Sequence, residues 1–182
     1  MQGRIFRYAF VLILALSISP SVVFADRGGH EPTNPSQPIP KFLPVEEGLY
    51  RGGRPGREGV TYLKNLGIRT IVSLDNNTSE NEDERRFAES LGMKVILLPI
   101  NPMWTINDQT VNSALEAVRN PQLRPLFLHC KHGEDRTGML VGLFKAENRG
   151  WTAAAAYKEA LDLGFHRELF PLDRYFRDRL RL

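Results

Sequence analysis

Cys130 is the only cysteine among 182 residues. It stands in the run His129-Cys130-Lys131-His132-Gly133-Glu134-Asp135-Arg136-Thr137-Gly138. A thiol, an arginine five residues further on and a glycine between them can do anion chemistry if a strand leads in and a helix leads out. The apolar run Leu126-Phe127-Leu128 supplies the strand, and a helix is expected from Thr137 to Asn148. The first amides of a helix have no intrahelical acceptor and lie at the positive end of its dipole, so the loop between Cys130 and Arg136 forms a cradle for an oxyanion such as phosphate. Gly133 lets the loop backbone adopt a conformation closed to residues with side chains.

The same field favours a thiolate at Cys130, because thiols at helix N-termini and beside arginine ionise more readily. Arg136 presents a planar fork that can grip two phosphate oxygens, and the Thr137 hydroxyl can donate to the thiolate or assist its departure. Together they suit a two-step phosphoryl transfer in which Cys130 attacks phosphorus and water then hydrolyses the cysteinyl-phosphate. Neither a metal nor another cofactor is required. A metal site from His129, Cys130 and His132 would crowd three ligands into four positions, which is poor geometry.

The elements that must position this loop alternate. Strands are expected at Leu49-Tyr50, Arg69–Leu74, Lys94–Leu98 and Pro125–Leu128, with helices over Gly59–Leu66, from Ser79 to Gly92 and from about Asp108. Helices at Thr137–Asn148, Thr152–Leu163 and Pro171–Leu180 follow the last strand. Ser79 with Glu82 reads as a capping box, and Asp108 as a helix N-cap. Continuous rather than alternating apolar strands interleaved with helices indicate an α/β domain with a covered, mostly parallel central sheet flanked by helices. Cys130 then lies at the carboxyl end of a strand, where such sheets bind ligands.

The Cys-x5-Arg-Thr spacing preceded by His resembles the signature of the protein tyrosine phosphatase superfamily. Gly48-Leu-Tyr-Arg-Gly-Gly-Arg-Pro55 and Tyr62-Leu-Lys-Asn-Leu-Gly-Ile-Arg-Thr-Ile-Val-Ser-Leu74 are similar to segments of small atypical dual-specificity phosphatases and of bacterial tyrosine-phosphatase-like inositol phosphatases. The resemblance covers about Phe42 to Leu182. It implies a minimal tyrosine-phosphatase-like domain and a metal-independent phosphomonoesterase acting through phospho-Cys130. Inositol polyphosphates and phosphotyrosine, phosphoserine or phosphothreonine proteins are the substrate classes it implies.

The sequence departs from the family at the general acid. An Asp is expected on the loop Leu98–Asp108, yet Asn101 to Trp104 occupy the place. Asp135 resembles the loop Asp of myotubularin-like and bacterial lipid-phosphatase-like members, and Asp108 is the other candidate. Cys130, Arg136 and Asp135 are thus the expected catalytic residues, with Lys131, His132, Gly133, Glu134 and Thr137 expected to contact substrate. Lys131 and His132 either favour a polyanion such as an inositol phosphate or are solvated loop residues. Arg51 and Arg54 either face the same mouth or, as each individually reads, are surface residues, and His129 reads as a support for the loop backbone. Trp104 is either part of a lid or a core residue, and Trp151 a core residue.

Two other classes compete. Rhodanese-like sulfurtransferases also place a Cys in a strand-to-helix cradle, but their loop is typically shorter and lacks this spacing. A catalytically weak or inactive phosphate-binding module would keep the cradle without the acid.

At the N-terminus, Arg4 and Arg7 precede the apolar run Phe10–Ile18 and the small residues around Val23-Phe24-Ala25. This reads as a signal peptide over 1–25, cleaved after Ala25, and predicts a secreted or periplasmic protein with no stable membrane span in the mature chain. Removal of Arg4 and Arg7 brings the 24 basic residues close to the 21 acidic ones, so bulk charge gives no reason to expect nucleic acid as a partner. The Pro-, Gly-, Asn- and Ser-rich stretch 26–44 is expected to be a flexible leader, and 45–182 the phosphatase domain.

Overall fold

The structure, a computed structural model, describes residues 37–182. The expected signal segment and residues 26–36 of the expected leader lie outside the described residues. The chain runs β1 (Leu43–Glu46), β2 (Leu49–Gly52), α1 (Gly56–Asn65), β3 (Thr70–Ser73), α2 (Thr78–Ser90), β4 (Lys94–Leu97) and α3 (Asp108–Arg119). A short 3-10 helix at Pro121–Leu123 precedes β5 (Leu126–His129), α4 (Asp135–Asn148), α5 (Ala153–Asp162) and α6 (Phe170–Leu180).

The five strands lie in the order β1-β2-β5-β3-β4, with only β1 antiparallel to its neighbour. This is the mostly parallel sheet flanked by helices that continuous apolar strands predict. Its faces follow from the twofold alternation of strand side chains. Leu126 and Leu128 belong with Val72 and Leu49 in one core, shared with residues of α3, α4 and α6 such as Leu115, Phe144 and Phe176. Phe127 and Ile71 belong to the other, with Val60 and Leu63 of α1 and Ala88 of α2. All three apolar residues of β5 are fully buried, each contributing about 1.5–3 kcal/mol of transfer free energy.

The packed chain begins earlier than the expected boundary at 45. Ile39 is buried among Val60, Leu63 and Phe127, and the Pro40 carbonyl accepts from Gly53 N at 2.7 Å. Residues 37–44 carry Pro and polar residues typical of a leader, but Ile39 and Phe42 anchor them to the core. Two caps also differ from expectation. Asn77, not Ser79, caps α2 by accepting from Glu80 N, while Glu82 pairs with Arg85. Asn107 caps α3 by accepting from Thr110 N, which leaves Asp108 as the first helical residue. In both helices the Asn one or two residues upstream already has extended backbone and takes the role first.

Candidate active site

β5 ends at His129, Cys130 follows, and α4 begins at Asp135. β5 is the middle strand of the five, so the carboxyl ends of β2 and β3 flank the loop on its two sides. Alternation continues past the strand: Cys130, buried, belongs to the core shared with α4, whereas His129 turns to the opposite face. There His129 stacks on Phe127, donates through Nε2 to buried Glu84 Oε1 at 2.8 Å, and places Nδ1 3.3 Å from the Cys130 carbonyl oxygen. It supports the loop backbone as expected, but its anchor on α2 was not legible.

Gly133 has φ +82°, and a Cβ there would lie 2.5 Å from the backbone of Gly52 and Gly53. The Gly52-Gly53 pair at the end of β2 is what lets the loop approach so closely, since a Cβ on Gly53 would in turn meet His132 backbone at 3.1 Å. Lys131 and His132 are exposed on the loop. The Lys131 carbonyl accepts from Arg54 N. Glu134 stands at the N-cap position of α4 without capping it, and its carboxylate is ion-paired with Lys41. Among the described residues, no turn, loop or cap bond is donated by the backbone N–H groups of Lys131 through Arg136.

Arg136 is buried and held from the β3 side. Its Nη1 donates to Asn76 Oδ1 at 2.8 Å, lies 3.4 Å from the carbonyl oxygens of Leu74 and Ile100, and is 3.6 Å from Asp75 Oδ1. Asp75 also pairs with Arg54. Burial pushes the Asp75 carboxyl up, but the Asn77 backbone N–H and the charges of Arg54 and Arg136 outweigh it, so its pKa lies below the ordinary value of 3.8. Asp75 therefore stays ionised as an anchor between two arginines. Sequence reasoning missed it. The signal was its place directly after the β-branched run of β3, at the ligand-binding end of the sheet.

On the other side, Arg51 is buried beneath the loop and donates through Nη2 to Gly133 O at 2.7 Å. It is not the surface residue its type suggests. Arg54 is also largely covered, engaged by Asp75 and Glu80.

The two candidate acids are separated. Asp135 Oδ1 accepts from the His166 backbone N at 2.8 Å and lies 3.0 Å from its Nδ1, which ties the first turn of α4 to the α5–α6 connection. Asp108 accepts from Tyr175 OH at 2.6 Å, on the side of α3 that meets α6. The Leu98–Asp108 loop leaves the site at Ile100, beside Arg136, and carries Trp104 72% exposed, outside any core. Trp151, expected in the core, is exposed, with the Lys145 ammonium 4.3 Å over its ring. It follows the end of α4, where the chain has already turned outward.

Five buried side-chain polar atoms among the described residues lack a hydrogen-bond partner, and four surround this loop: Arg51 Nε, Arg54 Nε, Arg136 Nε and Thr137 Oγ1. Buried donors are normally satisfied. Free backbone amides and orphaned cationic donors around one loop, with a thiol at its start, are an arrangement that can hold an anion beside a thiol.

Known proteins resemble this chain in sequence and in fold. The family described as a DSP-PTPase phosphatase fused to NAD+ kinase matches residues 39–167. Inositol diphosphatase DSP4 of Arabidopsis thaliana is 31% identical over 138 residues, 74% of this chain and 67% of that protein. The dual specificity protein phosphatase TpbA of Pseudomonas aeruginosa is 30% identical over 118 residues, 64% of this chain and 51% of that protein. The matches thus span from about half to two thirds of these relatives. A crystal structure of P. aeruginosa TpbA, a cysteine-to-serine form in complex with pTyr, has a TM-score of 0.65 at 25% identity and covers 83% of this chain and 92% of that one. The catalytic core of the PP-IP phosphatase SIW14 from S. cerevisiae, 23% identical, also has a TM-score of 0.65 and shares the fold, covering 79% and 90%.

Proposed function

Since the chain belongs to the DSP-PTPase phosphatase family, within the protein tyrosine phosphatase superfamily, we propose that it is a metal-independent cysteine phosphatase acting through phospho-Cys130. The observation that carries this reading is the set of orphaned donors around the loop, Arg136 Nε and Thr137 Oγ1 among them. They suit the three equatorial oxygens of a transferring phosphoryl group.

Cys130 sulfur attacks phosphorus, the P–O bond to the leaving group breaks, and the leaving oxygen takes a proton from Asp135. Water then attacks the phosphocysteine, gives its proton back to Asp135 and releases phosphate and the thiolate. Arg136 and the amides of Lys131 to Arg136 hold the phosphoryl oxygens throughout. Asp135 adjoins Arg136 in sequence and keeps Oδ2 free of any protein partner among the described residues, whereas Asp108 faces Tyr175.

For the substrate, exposed Lys131 and His132 support a polyanion such as an inositol polyphosphate, and the relative DSP4 is named an inositol diphosphatase. Exposed Met103 and Trp104 on the neighbouring loop suit the ring of a phosphotyrosine, the ligand of the TpbA complex. The N-terminal pattern supports export and a secreted or periplasmic location.

The test is phosphate release with chelator and reductant present, comparing a phosphotyrosine peptide, inositol hexakisphosphate and a diphosphoinositol phosphate. Wild type should turn over at least one while Cys130→Ser turns over none, and the rate ratio assigns the substrate class. Equal activity of Cys130→Ser would overturn the nucleophile. No turnover of any substrate, with phosphate still bound, would favour a phosphate-binding module.

A further inference from the structure

We propose that Arg51 is a positioning residue of the phosphate loop: its guanidinium holds the Gly133 carbonyl outward, which turns the Glu134 N–H into the cradle, and its uncompensated charge serves the anion bound there. This rests on the phosphate reading above and assigns a residue outside the signature motif.

The first argument is geometric. Arg51 Nη2 donates to Gly133 O at 2.7 Å from beneath the loop. The Gly133–Glu134 peptide is trans, so its C=O and N–H point in opposite directions across one rigid plane. A carbonyl fixed toward β2 therefore sends the next N–H away from β2, where it is free to meet an anion. Glu134 N donates no turn, loop or cap bond among the described residues. A flipped peptide would point a carbonyl oxygen at the phosphate instead.

The second argument is electrostatic. Among the described residues the fold buries two arginines, Arg51 and Arg136. Arg136 has Asp75 at 3.6 Å, but Arg51 forms no ion pair among the described residues, and its Nε has no partner at all. A guanidinium stays charged in a protein, and burying one without a carboxylate in contact is unfavourable. Burial pushes the Arg51 pKa down, opposed by the fields of Glu159, Cys130 and Glu134. Of these, Glu134 is already paired with Lys41 and Glu159 with Lys145. The group left to balance Arg51 is the sulfur of Cys130 together with whatever anion the cradle holds.

Removing the uncompensated charge relieves a burial cost, whereas leaving the Gly133 carbonyl without its donor adds one. Melting is therefore followed beside each binding measurement. The protein and its Arg51→Met, Arg51→Lys and Arg51→Gln variants are compared for inorganic phosphate binding by calorimetry, for kcat and KM on an aryl phosphate, and for thermal melting. Arg51→Met is expected to melt close to wild type, the two opposed effects largely offsetting, while binding phosphate about tenfold or more weakly, as loss of a charge-assisted contact implies. Arg51→Lys, which keeps the charge but not the fork, should regain part of the affinity. Equal phosphate affinity in wild type and Arg51→Met overturns the proposal. If Arg51→Met does not fold, equal affinity in Arg51→Gln does the same. A wild-type protein that binds no phosphate overturns the phosphate reading itself.

Discussion

Gly133 shows how little freedom single residues have at this loop. Its φ of +82° and the 2.5 Å approach of a Cβ to Gly52 and Gly53 backbone leave no rotamer that could relieve a clash. Gly133→Ala is expected to cost about 1–3 kcal/mol in urea unfolding and to lower aryl-phosphate turnover far more than stability, because the amides move with the loop. A variant with wild-type turnover would show that the loop tolerates displacement. Asp75 gives a second residue-scale prediction. Its folded-state pKa is depressed below 3.8, so its stabilising contribution is complete above the ordinary carboxylate range. It is lost as pH falls through the lower folded value. The gap in urea midpoint between wild type and Asp75→Asn should therefore be the same at pH 7 and pH 5 and shrink at pH 3. A gap that grows toward acid would contradict the assignment.

Elements are joined near the site by contacts that no motif announces. The α5–α6 connection is tied to α4 through His166 and Asp135. The hydrogen bond and the charge of Asp135 raise the His166 pKa above 6.5. The ion pair is therefore fully present below the ordinary histidine range and is lost as pH rises through the higher folded value. An NMR titration of the His166 ring should give a midpoint above 6.5 that falls toward it in Asp135→Asn, and an unchanged midpoint would refute the contact. At the start of α2, Asn77 alone satisfies the Glu80 amide. Asn77→Ala should lower stability by about 1 kcal/mol, whereas Ser79→Ala should change the urea midpoint little. Helix positions in the sequence were legible from periodicity, but caps were not, because several Asn, Ser and Asp stood within reach of each helix start. Which one caps depends on where the backbone turns.

The whole molecule shows the same division. The two cores flank a sheet whose middle strand carries Cys130, and the segment before β1 closes the core on the α1–α2 side through Ile39. Ile39→Ala should cost about 2–5 kcal/mol, measured by urea unfolding, and a negligible change would return residues 37–41 to the leader. The α/β class, strands β2 to β5, helices α1 to α6 and the strand-loop-helix around Cys130 were readable, because each rests on neighbours in sequence, whereas β1 fell partly in the expected leader. An apolar run, a glycine and the free amides of a following helix interact within about ten residues.

What the sequence by itself determined is that local cradle: the thiol, the glycine that lets the loop turn, the arginine and the helix dipole behind them. Tertiary structure decided what holds it. Arg51 reaches Gly133 across 82 residues, Arg136 reaches Asn76 across 60, and His129 meets Glu84 across 45. These contacts follow from the strand order, which sets β5 between β2 and β3. That order sends Arg51 under one side of the loop and Asp75 and Asn76 to the other. Strand order is fixed by how two cores close on the sheet together, and no single stretch of chain carries that balance.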